Sequence, residues 1–551
     1  MLLKQIIENQ VRYIFIILSV FIFGLTLNSC SKKDDSASSA SSSSSEIVSV
    51  SDSSGYIQIE STNHSLDEGD VIRFTTTDTL PAGLALATDY YVVGTQSTNT
   101  FFVSATESGT PIAYTDGGTG THSWQIAFAL GTTGSNQLAT HDYANGVVTD
   151  SSGNIYVTGG TKGGLDGNTS QGNTDLFLLK YNTSGAKQWT KQFGSSSRDS
   201  ANAIAIDSSG NLYVAGITFG GLDLHTNSGA NDFFVVKYNS SGTKQWTQQL
   251  GTPSTEGANG VATDSSGNVY VVGVTYGKLG NNKWGNSDLF VVKYNSSGTW
   301  QWTKQQGSNS WDEARGVATD SSGNVYVVGG TKGDKMNGVK IGYNMTEIFV
   351  IKYNSSGAMA WTKVLGTWRK DFANAVNIDS SGNIYLVGAT ERDLEAECKK
   401  HKQECDNFAG GDDLFVVKFD SKGEKQWTKQ LGTRRNDRAT GVATDSSGNV
   451  YVTGYTYWRL DGNTYAGSND AFVVKYLDNG TKLWTKQFGT PSSDLADGVA
   501  TDSSGNVYVV GYTYGDLDGN TNTGASDIFV VKYNSSGTKQ WTKQLGSSMW
   551  Y

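Results

Sequence analysis

From about residue 142 onward, apolar and polar positions fall into four short runs that recur as a set. The clearest copy lies at 494–546: an acidic residue, then GVATD, then NVYVVG, a loop, FVVKY, and finally QWTKQLG. A DSSGN-type block opens at Asp150, Asp207, Asp264, Asp320, Asp379, Asp445 and Asp502, and a tryptophan falls in the last run at Trp189, Trp246, Trp302, Trp361, Trp427, Trp484 and Trp541. The spacing is roughly 57 residues, stretched once between Asp379 and Asp445, and a period of this size marks a repeat architecture. Each run is strand-length and rich in β-branched and aromatic residues. In DSSGN the aspartate can cap backbone amides and the glycine can take the positive φ that closes a hairpin. NSSG joins the last two runs in the same way. Four antiparallel strands, A to D, repeated seven times predict an all-β, seven-bladed β-propeller, in which radial repetition protects sheet edges. Strand B is nearly continuous in apolar residues, as expected where a blade packs through both faces. A parallel β-solenoid is the alternative, disfavoured by the paired hairpin turns. Which strand completes the last blade stays open: Gln540–Gly546 is favoured, and Ile126–Gly131 has a similar pattern.

Ahead of the repeats, 46–124 lacks the DSSGN block. It alternates strand candidates at Tyr56–Glu60, Asp70–Thr76, Tyr90–Gly94, Thr100–Ala105 and Ile112–Thr115 with Gly, Asn, Asp and Ser. The run DVIRFTTTDTLPAGLALATDYYVVG resembles a β module of phage-tail and bacterial surface proteins, which implies a spacer or adaptor. The first 29 residues have another character. Lys4 and Arg12 precede a continuous apolar run, Ile14 to Leu27, too short to span a bilayer comfortably and suited to a signal-peptide core. Leu27-Asn28-Ser29-Cys30 resembles a bacterial lipobox, with Asn28 atypical, which implies lipidation at Cys30 and a cell-envelope address, with the outer membrane expected. A serine-rich tether, 30–45, follows, and the propeller is assigned to 125–551.

Composition sharpens the picture. The 551 residues hold 67 Gly, 4 Pro and 11% aromatics, which agrees with a turn-rich all-β chain. A formal charge of −10 argues against nucleic acid as a partner. With Cys30 lipidated, Cys398 and Cys405 remain as a possible disulfide in an oxidising compartment. They lie with His401 in the long fifth-copy loop. An intact helix there would hold the two sulfurs too far apart, and unpaired thiols or a metal are the alternatives. The repeat GVATDSSGNVYVVGYT…DIFVVKYNSSGTKQW is similar to the SBBP β-propeller repeat, common in bacterial surface proteins and lipoproteins. The resemblance implies the fold and an extracytoplasmic location but no reaction.

The turns between A and B and between C and D are nearly invariant, whereas the B–C and D–A loops differ from copy to copy. The variable face is therefore the expected binding face. Its aromatic and arginine residues include Trp284, Trp311, Trp368, Arg369, Arg434, Arg435, Tyr457, Trp458 and Tyr514, which suit a protein or glycan ligand unless the rings fold inward onto their own loops. Two acidic positions recur on the same side. The first is Asp142, Asp199, Glu256, Asp312, Asp371, Asp437 and Asp494; the second is Asp175, Asp232, Asp288, Glu347, Asp413, Asp470 and Asp527. Equivalent copies do not provide the unlike environments that separate a general acid from a base, so a structural role is expected, with a cation-holding ring as the alternative. LDGNT at Asp166, Asp461 and Asp518 could offer oxygen ligands to Ca²⁺, but DG is itself a strong turn signal, and no cofactor is expected. No histidine repeats, and GxSxG and HExxH are missing from the sequence. The expected function is a monomeric, lipid-anchored, non-catalytic scaffold, with a carbohydrate-active hydrolase or lyase as the alternative.

Overall fold

In the computed structural model the described residues run from 45 to 547, continuous from 140 except for 281, 343–344 and 395–410, and interrupted in several places before 127. Cys30, the segment before Ser45, Tyr343, and Cys398, His401 and Cys405 lie outside the described residues. The chain divides into two compact units, 1–134 and 135–551.

In the first unit, Ser45–Glu46, Ser49–Ser53, Tyr56–Glu60, Val71–Thr76, Tyr90–Ser97, Thr100–Ser104 and His122–Ile126 form one antiparallel sheet. Alternation along Tyr56–Glu60 buries Ile57 and Ile59 against Ile72, Phe74, Tyr90, Val92, Phe101 and Val103. Ile126 pairs with Ile72 in this sheet. The stretch expected as a strand at Ile112–Thr115 forms, among its described residues, the isolated bridge of Ala113 to Tyr56, with Ile112 accepting from the Ile57 amide and donating to the Val103 carbonyl at 2.8 and 2.9 Å.

The second unit is the seven-bladed propeller. Every blade is one four-stranded antiparallel sheet in the order A-B-C-D, from Asp142–Thr149, Ile155–Thr161, Asp175–Tyr181 and Lys187–Phe193 in blade 1 to Asp494–Thr501, Val507–Thr513, Asp527–Tyr533 and Lys539–Leu545 in blade 7. The last blade is thus completed by its own strand D. The A strands are innermost, each against the A strands of its neighbours, and the last closes on the first. Strand B is buried along most of its length because adjacent sheets cover both faces: Val157, Phe177 and Leu179 of blade 1 share a core with Tyr508, Val510 and Val530 of blade 7.

Turn chemistry holds the invariant face together. Asp150 accepts from the Ser152 and Asn154 amides, both at 2.9 Å, and from the Asn154 side chain and the Tyr156 hydroxyl at 2.8 and 3.0 Å, while Gly153 takes φ 77°. The same tyrosine ring lies under the Lys180 ammonium, 4.9 Å from its centroid. The equivalent lysine reaches the next blade: Lys237 donates to the Ser296 carbonyl at 2.8 Å, and Lys532 closes the circle on the Thr183 carbonyl at 3.0 Å. The repeated tryptophan also bridges blades. A β-carbon at Gly242 would lie 3.1 Å from the Trp189 ring, and one at Gly185 would lie 3.0 Å from Trp541 across the closing junction.

Ring closure uses the same contacts as the other junctions. Within the chain, a serine or threonine four residues before each strand-A acid donates its amide and hydroxyl to that acid, as Thr252 does to Glu256 at 2.6 and 2.8 Å. For Asp142 the donor is Ser547, from the other end of the propeller, with amide and hydroxyl at 2.6 and 2.8 Å. Thr140 in turn donates to the Ser547 carbonyl at 2.5 Å.

Candidate functional site

The two acidic series meet at the junctions between blades, and neither opens to solvent. Asp142, Asp199, Glu256, Asp312, Asp371, Asp437 and Asp494 are fully buried. Besides the serine or threonine of the D–A loop, Glu256 and Asp312 accept from the threonine that ends strand B, Thr275 and Thr331, at 2.7 and 2.5 Å. Asp371 and Asp437 accept from Thr390 and Thr456 in the same manner. The strand-C series is buried beside it. Gln192 bridges Asp175 and the B–C loop: its amide nitrogen donates to Asp175 at 2.8 Å and to the Gly163 carbonyl at 3.0 Å, and its oxygen accepts from the Leu165 amide at 2.9 Å. Gln249, Gln305, Gln487 and Gln544 repeat this at their junctions. In blade 4 the glutamine position is Val364 and the acid is the longer Glu347. Burial pushes Asp312, Asp371 and Asp494 up to about 6, and Asp413 up to about 7, with the carboxylate of the other series adding to the rise.

The LDGN carboxylates are also engaged. Asp461 pairs with Lys482 at 2.5 Å and accepts from Thr485 at 2.7 Å, and Asp518 pairs with Lys539 at 2.6 Å. Asp166 pairs with Lys187 and accepts from Thr190 at 2.7 Å. These aspartates have φ of 51–55°, and Asp223, which the sequence pattern did not single out, makes the same pair with Lys244 at 2.5 Å. Among the described residues no group of three His, Cys, Asp or Glu side chains is placed to hold a metal ion.

The aromatic residues of the variable face divide into two kinds. Trp284, Trp368, Trp458 and Tyr514 are 57, 39, 44 and 40% exposed. Trp368 carries Arg369 and Arg392 against its ring at 4.5 and 5.0 Å, and Trp458 packs on Tyr465 at 5.4 Å. Arg434 and Arg435 are exposed. Trp311 instead starts strand A of blade 4, half-buried, with its ring 3.1 Å from where a β-carbon on Gly330 would sit. Tyr457 is half-buried against Tyr455 at 6.1 Å.

The structure also brings together residues that the sequence pattern hid within strands. At the second residue of strand A, the residue before strand B's closing threonine and the residue just after it, blades 6, 7 and 1 place Tyr143, Tyr455, Tyr457, Tyr512 and Tyr514. Blades 2 and 3 place Ser200 and Gly257, Ile217 and Val274, and Phe219 and Tyr276 there. Tyr143 and Tyr512 approach to 6.4 Å, Tyr512 and Tyr514 to 5.9 Å, and His141 and Tyr514 to 6.3 Å. Arg438 flanks them, its Nε donating to Asp412 at 2.6 Å. Because strand A is innermost, this arc sits at the mouth of the central channel on the variable face.

Beneath the mouth, each strand A carries a β-bulge whose extra residue points at the next blade. Asn145 donates to the Ala201 carbonyl, Asn202 to Ala258 and Asn374 to Ala439, each at 2.8 Å, and Thr440 donates to Ala496 at 2.7 Å. In blade 7 the bulged residue is Asp497, at the position whose register faces the Ala144 carbonyl. A carboxylate cannot donate there, and burial pushes Asp497 up to about 7. Asp497→Asn is expected to supply the missing donor and to raise stability by about 1 kcal/mol at pH 8, with a smaller gain at pH 5, where the native acid holds a proton. Urea unfolding at the two pH values measures both.

Six segments, 131–166, 188–222, 245–281, 301–334, 426–457 and 483–518, match the SBBP beta-propeller repeat. The chain is 23% identical over 490 residues to an uncharacterized WD repeat-containing protein of Acanthamoeba polyphaga mimivirus, covering 67% of this chain and 35% of that protein. It is 25% identical over 410 residues to the Regulatory protein FlaEY of Caulobacter vibrioides, covering 65% of this chain and 41% of that one. The chain thus spans well under half the length of these relatives. Among solved structures, the beta-propeller domain of the Trilobed protease from Pyrococcus furiosus aligns with a TM-score of 0.38 at 11% identity, over 74% of this chain and 96% of that domain. The chain is a seven-bladed β-propeller in which six segments match the SBBP beta-propeller repeat.

Proposed function

We propose that this protein is a non-catalytic interaction scaffold, held in the bacterial cell envelope by lipid at Cys30, whose variable face binds a protein or glycan. One observation carries the reading. The chemistry that repeats, the two acidic series and the LDGN aspartates, is taken up by hydrogen bonds and ion pairs within and between blades. Side chains left for a ligand are those that differ between blades, and most of them gather on the B–C and D–A side, with Trp300, Met359 and Leu483 exposed beside the C–D turns. Exposed tryptophan beside arginine, as at Trp368, is the composition of an interface anchor.

The test compares the chain with a Trp284→Ala, Trp368→Ala, Trp458→Ala variant in capture from a native envelope extract, with Cys30→Ser reporting the anchor by membrane fractionation. The variant is expected to lose the captured ligand while keeping its melting temperature, and Cys30→Ser is expected to move the protein to the soluble fraction. Equal capture by the folded triple variant would remove this face from the assignment.

A further inference from the structure

The regularity of the ring makes its departures conspicuous, and the largest is the tyrosine arc over blades 6, 7 and 1. Its five rings line one side of the channel mouth, in edge-to-face contacts that leave parts of several faces open to solvent. Burial raises the Tyr512 and Tyr514 phenols above their ordinary range, so they stay protonated and can both donate and accept. The charge around them is balanced: Arg438 is held by Asp412, and Asp497 lies close enough to Tyr455 and Tyr512 to act on both electrostatically.

We propose that this arc is a subsite for a neutral glycan, with sugar C–H faces against the tyrosine rings and sugar hydroxyls bonded to the phenols. The proposal rests on the scaffold reading above and narrows it to one ligand class at one place. Aromatic rings with hydroxyl edges match the alternating apolar faces and polar rims of a pyranose. Of the cations here, Arg438 already holds a carboxylate, and Lys162, at the blade-1 position equivalent to Tyr457 and Tyr514, stands beside His141, so the anionic arm of the titration decides between neutral and acidic sugars. Of the exposed indoles of the variable face, Trp284 and Trp368 lie away from the arc, and Trp458 adjoins it on blade 6.

The full chain is titrated calorimetrically, at millimolar ligand, with cellotetraose, maltotetraose and tetra-N-acetylchitotetraose, and with tetragalacturonate as the anionic arm. At least one neutral probe is expected to bind. Tyr455→Ser with Tyr512→Ser is expected to weaken it by about tenfold or more, and the corresponding pair of Phe substitutions, which keeps the rings and loses the hydroxyls, by an intermediate factor. A Trp284→Ala, Trp368→Ala variant, which leaves Trp458 beside Tyr457 in place, is expected to bind the sugar as the parent does. Circular dichroism melting confirms that each variant is folded, and the Phe pair carries the test should the Ser pair not fold. Binding of none of the neutral probes, preference for tetragalacturonate, or undiminished binding by the folded tyrosine variants overturns the subsite and leaves the scaffold reading standing. Loss of a captured protein, and of no sugar, in the tyrosine variants overturns the glycan assignment in favour of a protein occupant.

Discussion

Gly273→Ala is expected to destabilise the propeller by about 3 kcal/mol or to prevent folding, the upper end of what overpacking costs. A β-carbon at Gly273 would sit 1.8 Å from the Gly257 carbonyl oxygen and 3.0 Å from the Ala258 α-carbon. Both obstacles are backbone, so no rotamer change relieves them. The cause is the strand-A bulge, where register passes from Ala258 opposite Gly273 to Gly260 opposite Val272 and the extra residue Asn259 turns strand A toward strand B. The same close approach recurs at Gly159, Gly216, Gly329, Gly388, Gly454 and Gly511, at 1.8–2.0 Å. Gly257→Ala is the control: its β-carbon would meet only the end of the Ile217 side chain, at 3.1 Å, and the expected loss is under about 1 kcal/mol. Urea unfolding of the two variants measures the difference, and equal losses would mean that the bulge relaxes.

That glycine also shows where sequence reasoning stopped. The repeat period, the turn aspartates and the bridging tryptophans could be read directly because each depends on spacing or on local backbone preference. Gly153 takes its positive φ in the block that predicts it. The bulge depends on register between two strands, which spacing alone does not determine, and so Asn145 and its counterparts passed as ordinary strand residues. The tyrosine arc was hidden for a related reason. Tyr455 and Tyr512 stand in strands that are otherwise buried and read as core, yet the final pleat of strand B turns them to the channel mouth. Tyr457, Trp458 and Tyr514 were visible because they lie in loops. The bridging glutamines of strand D were overlooked because QWTKQLG reads as an outer, polar strand. Only the fold shows that Gln192 reaches back under the B–C loop to a buried acid.

The buried acids predict an unusual pH dependence. For Asp312, Asp371 and Asp494, burial raises the folded-state value to about 6, and for Asp413 to about 7. A group raised in the folded state binds a proton more readily there than in the unfolded chain. Its stabilisation is therefore fully present below the unfolded value of about 4 and is lost as pH rises through 6 to 7. Each such site should account for roughly 2 kcal/mol between these limits, at junctions that the whole ring shares. The turn aspartates act in the opposite sense. Burial alone would raise Asp150, Asp320 and Asp502, but hydrogen bonds from the neighbouring asparagine, tyrosine and serine outweigh it and hold them below the usual range. Their contribution is present above about pH 4 and is lost as pH falls through their folded values. The two sets together place the stability maximum near pH 4, well below neutrality, with loss on both sides. Thermal unfolding followed by circular dichroism from about pH 3 to pH 9 should trace this peak. Asp371→Asn should flatten the alkaline limb, because the amide stays neutral where the carboxylate must ionise, and should leave the acid limb unchanged. A melting temperature constant from pH 5 to 8 would mean that these carboxylates are ionised in the folded ring and that the donors around them offset burial in full.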